Sequence, residues 1–486
     1  MSMQFSEELV YSKSISAHGN YKYLRIVPLG SAQNPVLSLS STTQIQFELP
    51  NNVMNLSKSK LCFDVLVALQ GSLTKFSNIY GNALSFIDRI TLTSRSGVVL
   101  CDIPNTHIFG NMISSVNTKL SDLMSKNTLK SGITMATAAA NTGDVDPLAA
   151  ATLAANTSVL SLSPLAPVND IARCNGTANH QTSAETYVAT AYTPNTEPVN
   201  IYLAPIVAAS TAISYQIDLS AFKDTIMELN KNIYFGDNLV LTINWNSCTK
   251  IGFNNTTNTG ALATGATTFT VPLQLNNLFL YTATETDPTV ISQLVSAVNN
   301  GEFSLIVPFV NSQKYSSAAS GSNAMQQRIN ATYGHTLLRT YFSCFNNSEV
   351  SQLAYTHNDS VIVDYNTYMD GLRLQDFTLK VSDSTHWLYN ERNFKNSCMQ
   401  SLQQFKANFV HIDNWCGASP CNNDDSVLNG LSLDSDRTWS VQCNNVTAAY
   451  KFYLFYTTQK KLVINRGSLT MVYTFFNFSF FNYHYI

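Results

Sequence analysis

The stretch YTATETDPTVISQLVSAVNNGEFSLIVPFV, residues 281–310, decides the fold because the pattern of the chain starts over within it. Asp287 is a favourable N-cap and Pro288 suits the first helical position, since the carboxylate accepts from free amides and proline has no amide to leave unpaired. The apolar residues that follow on one helical face are Val290, Ile291, Leu294 and Val298. Gly301 stops the pattern, so the stretch predicts a short helix and then a new strand.

The new strand has a near copy close to the N-terminus. Residues 303–309 read FSLIVPF and residues 23–29 read YLRIVPL, with Ile, Val and Pro in common. Three shared residues are weak support for a repeat, but the order of elements after each copy also agrees: strands, a helix, then strands. We therefore predict two units of roughly 200 residues, at 1–285 and 286–486, with a variable surface insertion at about 130–200 in the first.

Short strands dominate both units. Residues 44–49, 61–69 and 86–93 alternate or mix apolar and polar side chains in the way that gives a strand one buried and one wet face. Further strands are predicted at 98–100, 213–219, 239–245 and 271–281, and in the second unit at 306–310, 336–342, 361–363, 371–374, 439–443 and 469–475. Many short strands between turn signals are typical of a sandwich or barrel.

Two more helices interrupt these strands. Residues 108–124 keep apolar side chains at the helical period over about four turns. A second apolar stripe is formed by Phe394, Cys398, Leu402 and Phe405. We expect both helices to cap the ends of sandwiches. Between 130 and 200 the large apolar residues give way to Ala, Thr, Asn and Ser, which indicates a surface insertion or a flexible excursion without a role of its own.

The composition excludes several classes of protein. Of 486 residues, 45% are hydrophobic, so a sizeable core is possible, and only 12% are charged, well below the usual share. The formal net charge is -3 and no Lys/Arg block occurs, so electrostatic capture of nucleic acid is not expected. No apolar run reaches the ~20 residues of a transmembrane helix.

The cysteines indicate a reducing compartment. They are odd in number and scattered, and the acidic N-terminus lacks an apolar signal core, so we expect unlinked thiols and unused glycosylation sequons such as the one at Asn175. The nine positions are Cys62, Cys101, Cys174, Cys248, Cys344, Cys398, Cys416, Cys421 and Cys443.

Two groups of residues could carry chemistry. Cys416 and Cys421, with His411 nearby, leave open a metal site, a disulfide or a pair of unlinked thiols. A carboxylate cluster leaves open a calcium site, paired glycosidase acids or a solvated loop: Asp424, Asp425, Asp434 and Asp436. No spacing is diagnostic, so we assign no catalytic, cofactor-binding or metal-binding residue and predict a protein that is not an enzyme.

The C-terminal residues 475–486, FFNFSFFNYHYI, are dense in aromatic rings. Exposed, such a segment would aggregate. It therefore belongs to a strand in its own sheet, lies against another subunit or partner, or contacts a membrane.

Three stretches carry a likeness to a known family. They are 86–97 (FIDRITLTSRSG) ahead of 102–105 (DIPN), 387–390 (WLYN) leading into the second helix, and 411–415 (HIDNW) followed by 428–433 (LNGLSL) and Trp439. With these stretches and its two tandem β units, the chain resembles the double jelly-roll major capsid proteins of icosahedral DNA viruses, above all those of Polinton-like viruses and virophages.

The resemblance implies an all-β fold of two tandem eight-stranded jelly rolls, with short capping helices and a long loop insertion in the first. It also implies homotrimers that form pseudo-hexagonal capsomers, with neighbouring capsomers, penton proteins and minor capsid proteins as partners. The protein would then be located in the capsid shell of a virion assembled inside the host cell, without sequence-specific nucleic-acid binding.

Two other classes remain open from the sequence. A carbohydrate-binding or glycosidase β-sandwich would need an export signal and an aromatic groove beside paired carboxylates. A viral penton, spike or minor capsid protein is the nearer alternative, although a penton usually needs only one jelly roll. The duplication favours the major capsid protein.

Overall fold

The computed structural model describes residues 21–30, 37–39, 43–67, 76–78, 83–117, 134–138, 199–203, 206–207, 212–248, 252–254, 273–317, 321–346, 362–381, 384–391, 410–416, 430–446 and 450–472.

The first half of the chain is built from strands β1 (Tyr21–Ile26), β2 (Leu37–Ser38), β3 (Thr43–Leu49), β4 (Met54–Val67), β5 (Phe76–Asn78), β6 (Ile87–Ser94), β7 (Val99–Pro104), β8 (Thr134–Ala138), β9 (Val199–Leu203), β10 (Ile206–Val207), β11 (Ile213–Asp218), β12 (Leu239–Trp245), β13 (Gly252–Asn254) and β14 (Leu273–Glu285). Helix α1 (Thr106–Asn117) follows β7.

The second half begins with helix α2 (Pro288–Asn300) and contains helix α3 (Ser384–Glu391). Its strands are β15 (Glu302–Ser317), β16 (Gly321–Ile329), β17 (Thr336–Asn346), β18 (Asp364–Met369), β19 (Leu372–Arg373), β20 (Leu379–Lys380), β21 (His411–Asn414), β22 (Leu431–Ser432), β23 (Arg437–Val446), β24 (Tyr450–Asn465) and β25 (Ser468–Val472).

Each half folds into a pair of antiparallel sheets with the same strand order. In the first half the orders are β1-β14-β4-β11 and β3-β12-β6-β7; in the second they are β15-β24-β17-β21 and β16-β23-β18-β19. If the eight main strands of each half are numbered along the chain, one sheet takes the first, eighth, third and sixth, and the other takes the second, seventh, fourth and fifth. This is the strand order of a jelly roll, so the predicted tandem pair of jelly rolls is confirmed.

Smaller pieces of sheet decorate this frame. In the first half, β10-β5-β13 and β8-β9 form separate antiparallel sheets, and β2 pairs with β14. Strands β8 and β9 lie at the two ends of the insertion predicted at about 130–200 and pair with each other, and the residues 139–198 between them lie outside the described part of the chain.

Aromatic side chains fill the inside of each sandwich. In the first, Phe63 of β4 meets Trp245 of β12 edge-on, with ring centroids 5.0 Å apart, and stacks on Tyr215 of β11 at 5.6 Å. In the second, Phe342 of β17 stacks on Phe452 of β24 at 4.9 Å. Because these rings come from facing sheets or from neighbouring strands, their burial binds each sandwich into one core.

Helix α2 follows the sequence closely. The Asp287 carboxylate accepts a hydrogen bond from the Thr289 amide at 2.8 Å, and Pro288 is the first helical residue. Leu294 and Val298 are buried, whereas Val290 and Ile291 are half-buried, and the helix ends against Gly301. Since β14 ends at Glu285, we propose to keep 1–285 and 286–486 as the two units.

The other two helices agree with the sequence only in part. The apolar face predicted from Ile108 onwards is buried in α1, which ends at Asn117. In the second unit the residues 387–390 lie within α3, and the helical stripe that they were expected to lead into, at 394–405, lies outside the described residues, so that prediction is untested.

The largest departure from the sequence prediction is β24. The prediction placed the closing strand of the second unit at 469–475, but the counterpart of β14 is β24, and β25 (Ser468–Val472) only adds an edge to it. Strand β24 is buried on both faces: Phe452 and Leu454 face the second core, while Tyr453 and Phe455 belong to the core shared with the first unit. A strand covered on both sides lacks polar–apolar alternation, so its sequence carries no period-two signal.

Two smaller predictions also need correction or stay untested. Ile362 and Val363 were predicted in a strand but precede β18, which begins at Asp364. The aromatic residues 475–486 lie outside the described part of the chain, so the prediction of their burial is untested.

Candidate assembly interface

The two jelly rolls share a buried apolar contact. Strand β15, the first strand of the second unit, lies against β7, the edge strand of the first unit, and against the 3-10 turn Ile226–Glu228. Phe303, Leu305 and Val307 of β15 are 6%, 2% and 0% exposed and belong to the same hydrophobic cluster as β7 residues such as Ile103. The first strand of the second unit is therefore part of an interface between the units.

Helix α1 supplies an aromatic anchor to the same contact. The ring of Phe109 lies 5.0 Å from that of Phe455 and meets Tyr341 edge-on at 5.8 Å. Phe109 belongs to the first unit and the other two rings to the second, so the capping helix predicted from the sequence also joins the units.

A buried carboxylate lies in this interface. Asp224, between two 3-10 turns of the first unit, accepts from Arg339 Nη1 at 2.6 Å through Oδ1. Its Oδ2 accepts from the Tyr341 hydroxyl at 2.6 Å and from Thr457 Oγ1 at 3.0 Å. All three donors come from strands β17 and β24 of the second unit, so this single side chain holds the two units in register.

Charge and burial together set the protonation of this network. Burial alone would lower the pKa of Arg339, but the neighbouring Asp224 charge outweighs it and the pKa is raised. Burial first, and then the Asp224 charge, raise the pKa of Tyr341 well above its usual value. Arg339 thus stays charged and Tyr341 stays a hydroxyl donor, which gives the buried carboxylate its partners.

Backbone packing completes the contact. Gly236 of the first unit has φ +71°, and a Cβ added there would lie 2.6 Å from Gly467 Cα in the turn between β24 and β25. Within the second unit, the Arg466 amide of this turn donates to the Val298 carbonyl of α2 at 3.2 Å, which anchors the turn that meets Gly236. A side chain at Gly236 would force the turn away, because both the backbone angle and the space require glycine.

The first copy of the repeat has a different environment. Tyr23, Val27 and Leu29 are 48%, 42% and 46% exposed, whereas the aligned residues of the second copy are buried. Strand β1 pairs with β14 as β15 pairs with β24, so the two copies occupy the same place in their jelly rolls. The sequence repeat therefore identifies two equivalent strands, of which β15 is buried and β1 is exposed.

The residues singled out from the sequence for chemistry do not come together. Cys416 is buried and its thiol lies 3.0 Å from Asn414 Oδ1, whereas Cys421 lies outside the described residues. Asp434 and Asp436 are exposed beside His335 and Arg328 respectively, and the residues 424–425 are not described. In the described part of the chain, no group of three or more His, Cys, Asp or Glu side chains could hold a metal ion.

A polar cluster that sequence reasoning missed lies inside the second jelly roll. The Asp413 carboxylate accepts from Trp439 Nε1 at 2.8 Å and from the Tyr389 hydroxyl at 2.8 Å, and lies 2.9 Å from His411 Nε2. The Tyr365 hydroxyl lies 2.8 Å from His411 Nδ1 and also bonds to His386 Nδ1. The HIDNW stretch contains His411 and Asp413, but their partners come from α3, β18 and β23 and could not be paired with them from the sequence.

This cluster is built for stability. Burial would raise the pKa of Asp413, but the charge and hydrogen bonds of its neighbours, His411 foremost, lower it, so the carboxylate stays ionised. Burial, and then the His411 charge, lower the pKa of His386 well below its usual value. Because His386, His411 and Asp413 are almost fully buried and bonded to side chains of α3, β18 and β23, the network ties these elements together.

No described helix combines the length and apolarity needed to cross a membrane.

Comparison with known proteins gives a likeness only at the level of structure. No protein-family model and no curated protein sequence matches the chain. The capsid of PBCV-1 superposes with a TM-score of 0.54 at 9% identity, over 94% of this chain and 98% of that chain. The Faustovirus major capsid protein gives 0.52 at 10% identity, over 92% and 91%.

The Sputnik virophage structure matches with a TM-score of 0.48 at 12% identity, over 93% of this chain and 90% of that chain. At such identities the likeness is one of fold, and the PBCV-1 and Faustovirus matches span both units and agree with the repeated strand order. This chain is a double jelly-roll protein.

Proposed function

We propose that this chain is a major capsid protein, and that its homotrimers form the pseudo-hexagonal capsomers of an icosahedral virus shell. The observation that carries the proposal is the repeated strand order: one jelly roll is written twice in one chain. Three copies then present six similar units around one axis, which suits a hexagonal position in a shell. A structural role without catalysis, in the capsid of a virion, follows from this proposal.

The fold matches support the same role. The PBCV-1 and Faustovirus proteins are described as a virus capsid and a major capsid protein, and this chain spans more than nine-tenths of each. The charged share of only 12% suits wide contacts with neighbouring capsomers, penton proteins and minor capsid proteins, since interface cores are depleted in charged residues.

The two other classes fit the fold less well. A penton or spike built on one jelly roll would leave the second unit and its buried contact without a role. A glycosidase needs two carboxylates facing each other across a sugar. The described Asp434 and Asp436 instead lie exposed beside basic side chains.

Native mass spectrometry of the purified protein tests the proposal. A trimer of the 53.6 kDa chain, about 161 kDa, is the expected species. A single species of 53.6 kDa at micromolar concentration would contradict the proposal and favour the binding-protein class.

A further inference from the structure

We propose that the exposed face of β1 is the surface on which the second jelly roll of another copy of this chain packs, through its edge strand β19. The inference rests on the proposed function, which supplies the second copy, and it names the surfaces that meet. It follows from what covers the equivalent strand β15 within one chain.

Strands β1 and β15 hold equivalent positions. Each is the first main strand of its jelly roll, each lies at the edge of its sheet, and each pairs with the last main strand. Within the chain, β15 is covered by β7, which is the edge strand of the other sheet in the neighbouring jelly roll. The contact therefore joins a first strand to a fifth strand.

Within a single chain, the corresponding pair of strands, β1 and β19, leaves large apolar side chains exposed. In the second jelly roll the fifth strand is β19, at the same edge that β7 holds in the first. Its Leu372 is 75% exposed, and Tyr23, on the face of β1 that corresponds to the buried face of β15, is 48% exposed. One chain thus shows one complete contact of this kind and both separated halves of a second one.

Exposed apolar side chains gather near these two strands. The large hydrophobic residues that are exposed in the described part of the chain are Tyr23, Leu24, Val27, Leu29, Val99, Val363, Leu372, Phe377 and Leu388. Four lie on or just after β1, and four lie in the second jelly roll, from Val363 just before β18 to Leu388 within α3. Because a β1–β19 contact joins different surfaces of two copies, repeating it three times can close a ring.

The face of β1 has the composition of an interface. The guanidinium of Arg25 lies 3.6 Å from the centroid of the Phe279 ring, and Lys60 Nζ lies 6.0 Å from that of Tyr23. Tyrosine and arginine are among the residue types that most often carry binding energy at protein–protein contacts.

The test compares the mass of variants by analytical ultracentrifugation. Tyr23→Glu and Leu372→Glu each place a charge in the proposed contact, so each should raise the trimer dissociation constant at least tenfold. Val99→Glu is the matched control: Val99 is 41% exposed at the start of β7, whose contact is made within the chain, so the trimer should persist. If both test variants remain trimeric like the unaltered protein, the proposed surface is wrong.

A second measurement separates the possible occupants of β1. Oxidative footprinting should find Tyr23 protected in the trimer and reactive in a monomeric Leu372→Glu variant. Protection of Tyr23 in the monomer as well would mean that the chain's own residues cover β1, and would overturn the inference. A trimer with reactive Tyr23 would also overturn it while leaving the proposed function intact, whereas an unaltered protein that is monomeric contradicts both.

Discussion

Strands β1 and β15 start the two jelly rolls in the same way, yet β15 is buried against the neighbouring unit and β1 faces outward. The residues follow this difference. Leu305 occupies the position at which the first copy has Arg25, and both belong to the same aligned repeat. The comparison teaches that the strand order is repeated whereas the environment is not. The residue types follow the environment, with an apolar side chain where the strand is buried and a charged one where it is exposed.

The largest effect is expected when the buried strand β15 receives the residue that β1 has at the aligned position. Leu305→Arg would bury an unpaired charge between β15 and β7, at a cost of several kcal/mol. We expect a loss of stability above about 4 kcal/mol, or no folded protein, in urea unfolding followed by near-UV circular dichroism. A variant with an unchanged unfolding midpoint would show that β15 is not buried by the first unit.

Next in size is the carboxylate that joins the units. Asp224→Ala leaves Arg339 buried without its counter-ion, so the free energy of unfolding should fall by about 3–5 kcal/mol. Arg95→Ala serves as the control, because its ion pair with Glu48 is exposed and its loss should cost less than about 1 kcal/mol. Equal effects of the two substitutions would show that Asp224 contributes no more to stability than an exposed ion pair does.

Lowering the pH should destabilise the second jelly roll more than the first. The folded pKa of His386 is lowered, so the unfolded chain takes up a proton near pH ~6.5 while the folded chain does not. Stability is therefore complete above that pH and is lost as the pH falls, by at most about 1.4 kcal/mol per pH unit. Hydrogen exchange should show β23 losing protection before β12 between pH 7 and 5.

The control for this prediction is His386→Gln, which removes the titrating group. It should flatten the pH dependence of β23 exchange, whatever its effect on stability at pH 7. Asp413 acts in a lower window: its folded pKa is lowered, so its contribution is present above its unfolded pKa of about 3.9 and is lost only below that pH. An unchanged slope in His386→Gln would contradict the assignment to His386.

The smallest effect is expected from the reverse exchange. Arg25→Leu removes a guanidinium that lies over Phe279 on an exposed strand, so unfolding of the single chain should change by no more than about 1 kcal/mol. Urea unfolding at a concentration that keeps the protein monomeric measures it. A loss comparable to that of Leu305→Arg would mean that β1 is already covered within one chain.

Much of the fold could be predicted from the sequence where a strand or helix has one wet face. Strands β3 and β6 show alternation, and α2 has its N-cap, its proline and its glycine stop. Strand β24 was missed because both of its faces are buried, one by its own core and one by the first unit. Its burial depends on a contact between units, which local sequence does not report.

The site was less predictable than the fold. The Asp224 network joins residues more than a hundred positions apart, and nothing near Asp224 in the sequence marks it as buried. The unequal exposure of the two Ile-Val-Pro copies was equally hidden, since a repeat predicts equal strands and not equal neighbours. Only the arrangement of the two units shows which copy is covered.

The most direct test of the central claim is an electron cryomicroscopy map of the purified protein. We predict a threefold ring of six lobes, in which contacts of β15 with β7 inside a chain alternate with contacts of β1 with β19 between chains. A particle without six lobes, or a ring in which β1 faces solvent, would contradict the account.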